Sequence, residues 1–223
     1  MNALPIPVAI LTGFLGSGKT SLLNSLLKDE MLSNAAVIIN EFGDVSLDHL
    51  LVEKSDENII EMASGCLCCT IRGDLVETIH GLLARRGAGT IKPFDRIVIE
   101  TTGLADPAPV LHTLMSDDGL LRACRLEGVI TVVDAFNGMA TLDAHAEAVK
   151  QVAVADRIVI TKADLATPRA LDALEARLQA LNPGAPRLRS AQGDADPERL
   201  LDTGLYRGGT RLADAGSWLN AGA

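Results

Sequence analysis

Aromatic side chains are scarce in this chain: four Phe, one Tyr and one Trp among 223 residues. A core must therefore rest on Leu, Ile, Val and Ala. Net positive charge is also missing. The formal charge is −9 at pH 7, which argues against a nucleic-acid backbone as the main partner and leaves only local sites for small anions. No apolar run reaches the roughly 20 residues of a membrane span, so no membrane partner is expected. The stretch from Met1 to Thr12 has no basic leader and runs straight into a glycine-rich loop. It reads as a buried strand, not a signal peptide, and a cytoplasmic address is the expected default. Spread-out cysteines are absent as well. Of four cysteines, three crowd into Cys66-Leu67-Cys68-Cys69, unlike a secreted disulfide framework.

What is present is ordinary globular material, 48% hydrophobic and 22% charged, in a length that suits one domain. Short β-branched runs alternate with longer amphipathic stretches. Val8 to Leu11, Ala36 to Ile39, Arg96 to Glu100, Val129 to Val133 and Arg157 to Ile160 read as strands, apolar nearly throughout. That is the pattern of a parallel sheet covered on both faces. Lys19 to Lys28, Asp74 to Arg85, Asp106 to Ser116, Leu142 to Val154 and Pro168 to Leu181 read as helices. The last has Thr167-Pro168 as cap and first turn, and Asn182-Pro183-Gly184 as its stop. The alternation predicts an α/β fold with a mostly parallel central sheet. Beyond Gly193 the chain is irregular, with one short helix expected over Pro197 to Leu201 and a loose tail after it.

Between the first strand and the first helix lies Gly13-Phe14-Leu15-Gly16-Ser17-Gly18-Lys19-Thr20. The spacing Gly-x-x-x-x-Gly-Lys-Thr in a strand-loop-helix context predicts a phosphate-binding P-loop rather than a plain glycine-rich turn. Backbone N–H groups of Gly16, Gly18 and Lys19, together with the helix N-terminus, would face the phosphates, with Ser17 and Ser21 beside them. Lys19 would reach the β- and γ-phosphates, and Thr20 would place its hydroxyl on Mg²⁺. The fold expected is therefore the three-layer sandwich of P-loop NTPases.

A second signal concerns the base. Thr161-Lys162-Ala163-Asp164 ends a strand. GTPases commonly have Asn-Lys-x-Asp here. The Asp164 carboxylate can accept two hydrogen bonds from the guanine edge, which adenine cannot offer, and the Lys162 stem can pack over the base. Thr161 stands where Asn is usual. Ser190-Ala191 is a weak candidate for a backbone contact to the guanine carbonyl. Glu100 ends another strand and is followed by Thr101-Thr102-Gly103. An acid at that point can hold Mg²⁺ directly or through water, and Gly103 would let the backbone approach the γ-phosphate. Asn40-Glu41-Phe42-Gly43-Asp44 follows the second strand and suits a switch loop, in which Glu41 or Asp44 would orient water or bind metal. A solvated acidic loop is the plain alternative.

The cysteine cluster supports three readings. In an extended Cys-x-Cys both sulfurs point to one side, which suits chelation of Zn²⁺, Cu(I) or a similar ion. Three thiolates leave a four-ligand site incomplete, as suits a carrier that must release its ion; Glu41, a His or water would supply the fourth ligand. The alternatives are a redox switch and simple core packing. Cys124 reads as core. His49, His80, His112 and His145 are scattered and read as surface or cap residues.

Gly13 to Asn24, Asn40 to Asp44, Gly65 to Leu75, Glu100 to Pro107, Val132 to Ala135 and Thr161 to Leu165 occur in the order found in the CobW-like GTPases, a metallochaperone family that this sequence resembles over about its first 165 residues. The resemblance implies Mg²⁺-dependent GTP hydrolysis, with Lys19, Glu41 and Glu100 as the reactive centre. It implies metal binding at Cys66, Cys68 and Cys69, with Zn²⁺ or Co²⁺ as cargo and a client metalloprotein as recipient. Residues 1–190 would form the GTPase domain and 191–223 its irregular tail. The chain ends before the smaller C-terminal domain usual in the family, as expected of a truncated or a short member. A monomer or weak homodimer is expected. Two other readings remain: a P-loop kinase acting on a small molecule, and a redox-regulated nucleotide-binding module without metal. No arginine finger is evident, so turnover should be slow, on the order of 10⁻⁴ to 10⁻² per second.

Overall fold

The computed structural model describes residues 4–42, 59–64, 70–190 and 196–201, and side chains within that set except at 40–42, 59–64 and 70–74. Seven strands make one sheet. They are β1 (Ile6–Gly13), β2 (Ala35–Phe42), β3 (Ile59–Ser64), β4 (Arg96–Glu100), β5 (Cys124–Asp134), β6 (Arg157–Thr161) and β7 (Arg187–Arg189). Their order is β3-β2-β4-β1-β5-β6-β7, and each of the six pairings is parallel. Parallel neighbours need crossover connections. Here the connections between strands carry the helices α1 (Lys19–Leu27), α2 (Thr70–Gly87), α3 (Ala108–Ser116), α4 (Asp118–Ala123), α5 (Gly138–Ala144), α6 (Ala146–Ala153) and α7 (Pro168–Leu181), and α8 (Pro197–Leu200) follows β7.

The near-continuous apolar strands are explained by burial on both faces. Along β1, Ile6, Val8 and Ile10 pack in a layer with Leu75, Ile79 and Leu82 of α2 and with Val110 and Leu114 of α3. Ala9 and Leu11 face the other way, onto Leu22, Leu23 and Leu26 of α1. This is the two-residue period of a strand serving two layers at once. A third apolar cluster joins Val133, Ile158 and Ile160 to Leu142 of α5, Val152 of α6 and Leu171, Leu174 and Leu178 of α7. The three-layer sandwich is thus observed, and the sheet is parallel throughout its described strands.

Several elements differ from the sequence reading. β3 has a Glu in mid-run, at Glu61, and was not expected; it pairs with β2 from Val37↔Ile59 to Phe42↔Ser64. The short α4 was also missed, although Asp117 caps it by accepting from the Leu120 amide at 2.8 Å. The stretch expected as one helix over Leu142 to Val154 is two. His145 lies between them with extended backbone (φ −131°, ψ 114°), and its ring stacks on Phe14 at 4.3 Å. α7 has the bounds expected, capped by Thr167. α8 forms where a short helix was expected, and Leu200 and Leu201 are buried in the layer that holds α1. The strand order sets the site. β1 is central, between β4 and β5, so the loops after these three strands meet at one edge of the sheet.

Candidate nucleotide site

β1 ends at Gly13, and α1 begins at Lys19. The five residues between make the loop, closed by the Ser17 amide donating to the Phe14 carbonyl at 3.1 Å. Gly13, Gly16 and Gly18 have φ of +143°, +70° and +93°, a region that residues with a Cβ rarely adopt. Gly18 caps α1 without any side-chain hydrogen bond to the helix start. The cap itself therefore offers the first-turn amides no side-chain acceptor, which suits an anion site at a helix N-terminus. Lys19 is buried, and its ammonium donates to the Phe14 carbonyl at 3.3 Å. The Ser17 hydroxyl is buried and has no hydrogen-bond partner. Ser21 is exposed on α1.

The Thr20 hydroxyl donates to Glu100 Oε1 at 3.2 Å. Glu100 is buried at the end of β4, in register with Leu11 of β1. A hydroxyl and a carboxylate at one point form a hard, all-oxygen donor pair, which fits Mg²⁺. Beside them, Thr101 Oγ1 donates to Thr12 Oγ1 at 2.8 Å, tying the ends of β1 and β4.

Thr161 stands where GTPases commonly have Asn, and its hydroxyl is used. It donates to the Ser17 carbonyl at 2.6 Å, strapping the end of β6 to the phosphate loop. Lys162 has left-handed backbone (φ +54°), and its ammonium donates to the Gly16 carbonyl at 2.7 Å and to Asp134 Oδ2 at 2.8 Å. The residue pair read from sequence as base-facing is thus also the anchor of the loop. Asp164 follows in a 3-10 turn over Ala163–Leu165 and is exposed. The Ser190 amide donates to the Ile160 carbonyl at 2.8 Å and its hydroxyl is buried; Ala191 lies outside the described residues.

Asp134 is a site residue that the sequence reading quoted only as part of a motif. An acid ending an apolar strand was the signal, the same one that picked out Glu100. Its carboxylate accepts from the amides of Phe136 (2.7 Å) and Asn137 (3.3 Å), from the Asn137 side chain (3.0 Å) and from Lys162. Burial pushes its pKa up, but these hydrogen bonds and the Lys162 charge outweigh that and hold it below the usual carboxylate value. A depressed folded-state pKa gives stability that is complete above the ordinary Asp value of about 3.9 and is lost as pH falls through the folded one. Asp134→Asn should therefore lower stability at pH 7 by about 1–3 kcal/mol. The deficit should shrink below about pH 4. Urea midpoints of both proteins at pH 7 and pH 3 check this; an equal deficit at both would refute it.

Gly103 is buried against the loop. A Cβ there would lie 2.6 Å from the Leu15 backbone nitrogen. Two bonds to Thr102 shape this turn, from the Leu104 amide to Oγ1 and from the Ala105 amide to the carbonyl, each 3.2 Å. Glu41 is the penultimate residue of β2, opposite Ala63 of β3; its side chain, Asp44 and the metal candidates Cys66, Cys68 and Cys69 lie outside what is described. β3 ends at Ser64 and α2 begins at Thr70, one on each side of the cysteine run. Among the described residues no group of three or more His, Cys, Asp or Glu is placed to hold a metal. His80 is within hydrogen-bond distance of Asp117 at 3.1 Å, and His112 of Ser116 at 3.3 Å. Cys124 is core as expected, and burial pushes its thiol up to about 11. No helix among the described residues is long and apolar enough to cross a membrane.

Residues 7–189 match the CobW/HypB/UreG nucleotide-binding domain. The zinc chaperone YjiA of Escherichia coli is 40% identical over 199 residues, which cover 89% of this chain and 62% of that protein. A zinc-regulated GTPase metalloprotein activator of Schizosaccharomyces pombe is 34% identical over 210 residues, covering 91% of this chain and 50% of the relative. The chain thus spans between half and two thirds of the length of these relatives. A crystal structure of Zn(II)-bound YjiA GTPase from E. coli superposes with a TM-score of 0.72 at 32% identity, covering 96% of this chain and 70% of that one. HypB from Helicobacter pylori, in complex with nickel, shares the fold with a TM-score of 0.59 at 20% identity, over 86% of this chain and 81% of that one. With the phosphate loop strapped to β6 and the match running from β1 through β7, the chain belongs to the CobW/HypB/UreG nucleotide-binding family.

Proposed function

We propose that this chain binds Mg²⁺ and GTP at the loop after β1, hydrolyses the nucleotide slowly, and uses it to control a transition metal held at Cys66, Cys68 and Cys69. The observation that carries the reading is the pair of bonds from Thr161 and Lys162 to the Ser17 and Gly16 carbonyls. They join the guanine-type motif to the phosphate loop, so that Asp164 and the loop form one site. GTP is favoured over ATP because the Asp164 carboxylate accepts the guanine N–H pair.

In this reading the loop amides at Gly16 to Thr20 and the Lys19 ammonium bind the phosphates, with Ser21 beside them on α1. Thr20 and Glu100 hold Mg²⁺, which supplies positive charge to the phosphate oxygens. Gly103 meets the γ-phosphate, and Glu41 orients water or completes the metal site. The cargo is Zn²⁺ or Co²⁺ and the recipient a client metalloprotein, in keeping with the zinc-chaperone names of the relatives. Residues 1–190 act as the GTPase domain, the remainder as its tail, and the setting is the cytoplasm, as a monomer or weak homodimer.

Hydrolysis of GTP and ATP by the reduced protein tests the nucleotide half. GTP turnover of roughly 10⁻⁴ to 10⁻² per second is expected; a clear ATP preference would instead favour a small-molecule kinase. Linkage tests the metal half. If a non-hydrolysable GTP analogue tightens Zn²⁺ binding by some factor, Zn²⁺ must tighten the analogue by the same factor. Independent affinities would remove the coupling, and three thiols left unprotected by Zn²⁺ would favour a redox module.

A further inference from the structure

Gln151 of α6 is fully buried. Its side-chain nitrogen donates to the Gly103 carbonyl at 3.2 Å and to the Ala105 carbonyl at 3.0 Å. Both acceptors are carbonyl oxygens, so the orientation of the amide is fixed by chemistry: only the NH₂ end can face them. The other end, Oε1, is buried without a hydrogen-bond partner. An idle buried acceptor is a cost that an apolar residue of this size avoids. Gln151 therefore contributes through its two donors rather than through packing.

These donors sit within a longer connection. The Gln151 backbone carbonyl accepts from Thr131 Oγ1 of β5 at 2.7 Å, which fixes this turn of α6 to the sheet. Next to it, Lys150 bonds Asp106 Oδ2 at 2.9 Å. Three residues of the turn, Gly103, Ala105 and Asp106, are thus tied to two residues of one helix. On its other side, Gly103 rests against the Leu15 backbone. A cavity of about 490 Å³ has Leu15, His145 and Gln151 among its lining residues.

We propose that Gln151 is a positioning residue: by clamping the carbonyls of Gly103 and Ala105 it holds the turn after β4 against the phosphate loop, and so sets how strongly the site prefers a nucleoside triphosphate to the diphosphate. This rests on the reading that Gly103 meets the γ-phosphate. A turn held in place by a fixed helix has no ordering to undergo when the third phosphate arrives, so the clamp strengthens triphosphate binding and leaves diphosphate binding alone.

The test uses the whole chain with Mg²⁺, a non-hydrolysable GTP analogue and GDP, in wild type, Gln151→Met and Gln151→Glu. Gln151→Met keeps the bulk and removes both donors. It should weaken the analogue about ten-fold and move GDP by less than about two-fold, with kcat/KM for GTP falling in step with the analogue. Gln151→Glu sets a carboxylate against two carbonyl oxygens. Protonating that carboxylate restores one O–H donor, so kcat/KM relative to wild type should rise as pH falls from 8 to 6, whereas Gln151→Met should show no such recovery. Equal weakening of analogue and GDP, or no change in either, overturns the proposal, since packing alone would give those results. Should Gln151→Glu not fold, the ratio measured with Gln151→Met decides. The wild-type arm separates the two claims. A wild type that does not distinguish the analogue from GDP removes the γ-phosphate reading and this inference with it; a discriminating wild type with unchanged variants overturns the role of Gln151 alone.

Discussion

Replacing Gly13 with alanine should cost the protein several kcal/mol of stability and its nucleotide binding together. Gly13 ends β1 in register with Val132 of β5. A Cβ there would stand 2.3 Å from the Val132 carbonyl oxygen and 2.9 Å from the Ser17 hydroxyl oxygen. The first of these is backbone of a central strand, hydrogen-bonded on both sides, and cannot step back. Its φ of +143° adds strain for any residue with a side chain. Overpacking costs typically 1–3 kcal/mol and a forced backbone conformation about 1–3 more, against a whole-domain stability of about 5–15 kcal/mol. Gly16→Ala is the control. Gly16 also has positive φ, but nothing lies within 4 Å of its Cβ position, so only strain of about 1–2 kcal/mol is expected. Urea midpoints measure both. Similar losses in the two variants would mean that the close approach to Val132 is not what requires glycine.

Lys19→Met should separate stability from activity. The Lys19 side chain is 9% exposed, and its ammonium donates to the Phe14 carbonyl. Burying an ammonium carries a desolvation cost. Methionine of similar length removes that cost, so the melting temperature of the nucleotide-free protein should hold or rise. GTP turnover should nevertheless fall by about 10²- to 10³-fold, the usual effect of deleting one charge-stabilising donor from a reacting centre. Thermal melts and single-turnover hydrolysis on the same preparation show the split. A variant that loses stability while keeping turnover would reassign Lys19 to the fold.

The parts of the molecule legible in the sequence are those whose signals are local. α7 was readable to the residue because its cap, its first-turn Pro and its stop are contiguous. The phosphate loop was readable because Gly, Lys and Thr are needed at fixed offsets. β3 was not: its single mid-run Glu61 breaks the apolar pattern, and its strand character comes from pairing with β2. The split between α5 and α6 was not readable either, since no Gly or Pro marks it and His145 is placed by a ring 131 positions earlier, Phe14. In the site, the motif residues Thr161 and Lys162 could be named, but their bonds to the loop carbonyls could not. Asp134 shows in the sequence only as an acid ending an apolar strand, and Gln151 carries no local signature at all; the bonds to Lys162 and to the turn after β4 join separate elements.

The Thr161 bond to Ser17 spans 144 positions and the Lys162 bond to Gly16 spans 146. For a chain made from its N-terminus this sets an order of events. The phosphate-loop residues leave the ribosome well ahead of β6, yet the last of their fixings arrive only when β6 emerges. Until then the loop has its glycines and its lysine without the two straps that hold its carbonyls. A nascent chain that stops short of Thr161 would carry the whole motif and not the site, so competence for nucleotide begins near the end of synthesis of the sheet.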